Sequence, residues 1–148
     1  MIQRNCMLHL KNKEYIAVVQ CDIAKQRCSG YNCERAFNSR TGGFADYPKN
    51  KQYRIIYLTC GGCCGRATGR KLSNLIKRLR KDGNISKDKV VVQLSSCITK
   101  DNFHAPPCPH LDYIKTIVAR LGLDLREDTH LNELSDKRRK DGSYRRVI

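Results

Sequence analysis

Within LTCGGCCGRATGRK, residues 58–71, Cys60, Cys63 and Cys64 fall inside five positions, with two glycines between the first pair. Cys60-Gly-Gly-Cys63 is a C-x-x-C. Two intervening residues let both sulfurs face one metal ion, as in zinc knuckles and cluster sites. The glycines permit a sharp turn. A helix starting near residue 65 would aim its positive end at the sulfurs and favour thiolate, with Arg66 and Arg70 adding to the effect. The same features suit disulfide exchange in a thioredoxin-type pair. A phosphate loop is disfavoured, because Gly61, Gly62, Gly65 and Gly69 do not fit G-x-x-x-x-G-K-[ST].

Further donors lie elsewhere. The chain has nine cysteines and four histidines in 148 residues. His104-Ala-Pro-Pro-Cys108-Pro-His110 places two zinc-competent side chains in a loop stiffened by proline. Cys28 and Cys33 form another spaced pair, and His130 follows Asp128-Thr129. Cys6 and Cys64 read as ordinary thiols, and His9 is given no role.

These residues converge only if the fold brings them together. YIAVVQ (15–20), YRIIYLT (53–59) and KVVVQLSS (89–96) read as buried strands, and each is followed by or ends at a cysteine: Cys21, Cys60 and Cys97. A weaker strand, 121–126, ends near His130. Between the second and third strands Leu72, Leu75, Ile76 and Leu79 recur at i, i+3, i+4 and i+7, which predicts a helix over roughly 65–81. A second helix is expected at 109–121, carrying Leu111, Ile114, Ile117, Val118 and Leu121, and a short one at 30–40. Alternating strands and helices predict a three-layer α/β fold, Rossmann-like or flavodoxin-like. Its mostly parallel sheet has about four strands, with helices on both faces. In such a sheet the strands' C-terminal ends share one edge, where ligand sites collect. Cys21, Cys60, Cys63 and Cys97 would then fill one four-ligand site. Cys33, Cys108, His110 and His130 remain for a second or an open one. The histidines favour zinc; a [4Fe–4S] cluster is the alternative.

The organisation expected is an N-terminal extension (1–12), an α/β domain (13–131) and a basic tail (132–148). No apolar run suits a signal peptide or a membrane span, so a soluble, cytoplasmic protein is expected, with its thiols reduced. The net charge of +15 admits nucleic acid or another polyanion as a partner, through the basic side of the 65–81 helix and the tail. Aromatic residues make up 7% with no Trp, which leaves few platforms for stacking bases. Paired catalytic carboxylates and a Ser-His-Asp arrangement are missing, so a thiol-based redox or sulfur-chemistry enzyme is the enzymatic alternative to a metal-binding domain.

VVQCD (18–22), the Cys28 and Cys33 pair, Gly42-Gly43-Phe44, TCGGC (59–63), SSC (95–97), PCPH (107–110) and DTH (128–130) occur in this order. Together they resemble the CGGC domain family over about residues 13–131. Asp128 stands where the family pattern carries glycine, and Cys64 where it carries proline. The resemblance implies a metal-binding domain and suggests zinc.

Overall fold

β-branched residues load the first strand, β1 (Tyr15–Gln20), and all six of its side chains are buried. A strand covered on both faces belongs inside a sheet with layers above and below it. The computed structural model describes residues 9–100 and 107–131. β1 pairs in parallel with β2 (Arg54–Thr59) on one side and with β3 (Val90–Leu94) on the other, and β3 pairs in parallel with β4 (Asp124–Glu127). The strand order is β2-β1-β3-β4. The chain therefore reverses its direction of travel across the sheet between β1 and β3, and a crevice forms at the carboxyl ends of those two strands.

Among the described residues five α-helices complete the unit: α1 (Asp22–Lys25), α2 (Tyr31–Ser39), α3 (Ala67–Gly83), α4 (Ser96–Thr99) and α5 (Leu111–Arg120). Leu72 and Leu79 of α3, with Ile114 and Val118 of α5, pack on Ala17, Val19, Val92 and Leu94. The opposite face takes Ala36 of α2, Phe44 and Tyr47 against Ile16, Val18 and Val91. Period-2 alternation along β1 thus divides its residues between two cores. This is the three-layer α/β arrangement that the sequence predicts.

Helix α3 cannot extend back beyond its N-cap Arg66, because Cys64 and Gly65 have φ of 112° and 75°. It stops at Asn84, a left-handed C-cap whose N–H reaches Leu79 O. The weak fourth strand starts three residues later than the sequence suggests, since Leu121 caps α5 and Gly122 turns at φ 72°. Among the described residues no helix is long and apolar enough to cross a membrane. Cys6, His104 and the basic tail lie outside the described residues.

Candidate metal centre

Parallel pairing sets Gln20 beside Thr59 and Val19 beside Leu94, so Cys21 and Cys60 leave adjacent strands at the same level. Cys97 starts two residues further on, in α4. The three cysteines do meet. The Cys21 N–H donates to Cys97 Sγ at 3.1 Å, and the Asp22 N–H donates to Cys60 Sγ at 3.4 Å. All eight described cysteines are free thiols.

Two groups form around this rim. The first lines a cleft of about 290 Å³ on the α3/α5 side, walled by Cys21, Cys60, Cys63, Cys108, His110 and Ile114. Each donor arrives by a different local device. Cys60 is buried at the end of β2, and the turn beyond it swings Cys63 out to the surface. Gly61 makes that turn possible: it sits at φ 80°, and a Cβ there would come within 2.2 Å of Ala67 Cβ. Cys108 is fixed by its own N–H, which donates to Ile98 O at 2.8 Å. Its sulfur in turn accepts the His110 N–H at 3.4 Å. Burial raises the Cys108 thiol above its ordinary range, the His110 N–H opposes this, and the nearby sulfurs of Cys21, Cys60 and Cys63 push it further up.

The second group lies between the ends of β1, β3 and β4. Cys33, carried on α2, has its sulfur 3.1 Å from Thr129 Oγ1 and 3.6 Å from Ser95 Oγ. Ser95 and Thr129 are fully buried and stand 3.3 Å apart through their hydroxyls. The Cys97 thiol donates to Ser95 Oγ at 3.2 Å. Spacing gave no reason to single out these two hydroxyls, although both sit inside the SSC and DTH motifs. Asp128 takes φ 77°, a left-handed conformation that ordinarily favours glycine, and is held by Thr99 Oγ1 at 2.7 Å and by Lys100. His130 is half-buried beyond Thr129 and does not line the cleft.

Burial pushes the Cys97 thiol up to about 11, against the pull of its hydrogen bonds with Ser95 and the Cys21 N–H. In metal-free protein at pH 8, iodoacetamide should therefore modify exposed Cys63 on the order of a hundredfold faster than Cys97. Equal rates, read by peptide mass spectrometry, would contradict this placement. A folded thiol that keeps its proton above the ordinary value of 9.0 contributes stability below that pH, and the contribution is lost as pH rises through about 11.

Donor chemistry here fits a thiophilic metal: four thiols and one imidazole, from three separate segments, border one small cleft. The coordination shell is not closed, since among the described residues no three His, Cys, Asp or Glu side chains stand close enough to grip an ion. Rotation of surface Cys63 and His110 toward buried Cys60 would be needed to complete it.

A parallel α/β domain with thiols gathered along the carboxyl rim of its sheet is the class that this geometry defines. The family model for the CGGC domain matches residues 15–130, most of the chain, and the protein belongs to that family. No curated protein and no solved structure matches it. Membership points to metal binding and leaves the metal unnamed.

Proposed function

We propose that the protein binds zinc in the cleft beside α3 and α5, using Cys60 and Cys63 as the clamp and Cys21, Cys108 and His110 as the remaining donors. The observation that carries this reading is the convergence of these five side chains on one cleft of about 290 Å³, with main-chain N–H groups already directed at the sulfurs of Cys60 and Cys108. Such N–H groups stabilise a thiolate and tune the metal that it holds. Cys97, Cys33 and His130 stand apart from the clamp. The Cys97 proton is held by burial, and Cys33 is engaged with Thr129, so they are the second group of donors, open to a second ion only after rearrangement.

Zinc bound here would supply a structural cross-link or a Lewis acid; the chain's own part is to bring thiols from the ends of β1 and β2 and from the Pro-Cys-Pro-His loop to one cleft. A [4Fe–4S] cluster is the second reading, favoured by four cysteines on one cleft. Purification without oxygen, followed by elemental analysis and an absorption spectrum, separates the two. About one zinc per chain and a colourless protein are expected. Iron with inorganic sulfide and a brown colour would replace zinc by a cluster, and a metal-free protein after expression with added zinc and iron would refute metal binding at this cleft.

A further inference from the structure

On the solvent side of the α3/α5 layer run two confluent cavities of about 610 and 620 Å³ that share Ser73, Lys77, Arg120 and Leu121. Arg66, Arg70, Lys77, Arg80, Lys87 and Arg120 line them, and no acidic residue does. Along α3 and its N-cap the relevant positions are 66, 70, 73, 77 and 80, spaced four, three, four and three apart. At 3.6 residues per turn they form one narrow stripe about 21 Å long. Arg66, Arg70, Lys77, Arg80 and Arg120 are exposed, and none has an acidic partner among the described residues. Arg120 faces the stripe from α5. Lys87 is steadied by donating to Leu121 O at 3.2 Å. A stripe of unpaired cations confined within a groove, rather than spread over a convex surface, is costly to leave without counter-charge and focuses its field outward.

We propose that this groove binds a single strand of nucleic acid by its phosphates. The stripe is long enough to follow several successive phosphates, as the positively charged channels of single-strand binders do. Tyr113, 39% exposed, lies on the α5 wall and offers a ring on which one base can stack. The groove also leads somewhere. Gly65 and Ile114 line the cysteine cleft, and their neighbours Arg66 and Tyr113 line the groove, so a bound strand would pass the mouth of the metal centre. The proposal does not depend on which metal, if any, occupies that cleft.

The test uses the full chain and a fluorescent twelve-nucleotide oligo-dT, with anisotropy read across a salt series from 50 mM. Arg70→Glu/Lys77→Glu/Arg80→Glu is compared with Lys49→Glu/Arg78→Glu/Lys81→Glu, which makes the same change in net charge off the groove. The groove variant should bind at least tenfold more weakly, and its slope of log affinity against log salt should fall by about 2, from three lost phosphate contacts at about 0.7 each. The control should change less than threefold, and Tyr113→Ala should weaken binding about fivefold. Should the triple reversal fail to fold, Arg70→Gln and Lys77→Gln singly carry the comparison. Equal losses in groove and control variants would overturn the proposal. So would a wild-type chain that does not bind at 50 mM salt, or one that prefers inorganic polyphosphate and is indifferent to Tyr113→Ala.

Discussion

Cys60→Ser and Cys63→Ser should each cut bound metal by at least about tenfold, whereas Cys64→Ser, one residue away, should leave it unchanged. The contrast comes from backbone geometry. Cys60 is buried at the end of β2 and Cys63 lines the same cleft, while Cys64, at φ 112°, is exposed and does not line it. A serine hydroxyl is a poor substitute for thiolate at a soft metal and gives it up readily to a chelator. Cys108→Ser should show a smaller loss, because five donors border the cleft and the remaining four still suffice for a four-coordinate ion. Metal per chain is measured after gel filtration against a mild chelator. Full retention in Cys63→Ser, or loss in Cys64→Ser, would mean that the clamp is elsewhere.

That a clamp could be suspected from sequence, though not its membership, has a physical cause. β1 and β3 are buried on both faces, so their apolar runs announce a parallel sheet, and a parallel sheet fixes which ends come together. The meeting of Cys21, Cys60 and Cys97 follows from that alone. Which sulfurs share a cleft depends on the side of the sheet each one faces, and this is set by tertiary packing. Cys33 reads as one of a spaced pair within an expected short helix, and nothing in the sequence says that this helix, α2, packs against the face opposite α3 and α5. The fourth strand reads weakly because DLRE pairs on one side only and remains half-exposed. Gln93 gives no signal within VVVQL: a lone polar residue in an apolar strand declares neither its partner nor its purpose.

Gln93→Leu should be the most damaging single substitution away from the cysteines. Gln93 is fully buried in β3. Its Nε2 donates to Asp128 O at 2.6 Å, to Gly43 O at 3.0 Å and to Glu127 O at 3.3 Å, while its Oε1 accepts the Tyr47 hydroxyl at 2.7 Å. Burial drives the Tyr47 hydroxyl far above its ordinary pKa, so it stays protonated as the donor, and this fixes the amide's orientation. Gly43 fits beneath the same loop with no room to spare: its N–H donates to Thr129 O at 2.9 Å, and a Cβ would lie 1.9 Å from Asp128 O. One amide therefore pins the 42–44 turn to the 127–130 loop that carries Thr129. Leucine fills the volume but takes these bonds from a hydroxyl and three carbonyls, at about 1–3 kcal/mol for each group left unpaired that water does not reach. A total near 4 kcal/mol would lower Tm by roughly 10 °C in a chain of this size. Tyr47→Phe alone should cost about 1 kcal/mol; added to Gln93→Leu it should cost nothing, because the orphaned hydroxyl is removed. Independent costs in the double variant would show that the two side chains are not coupled. The loss should also reach the rim. With Asp128 released, Thr129 no longer shields Cys33, and alkylation of Cys33 at a temperature where the variant remains folded should rise about tenfold while Cys63 reacts as before. An unchanged Cys33 rate would separate the buried amide from the thiols it is argued to hold in place.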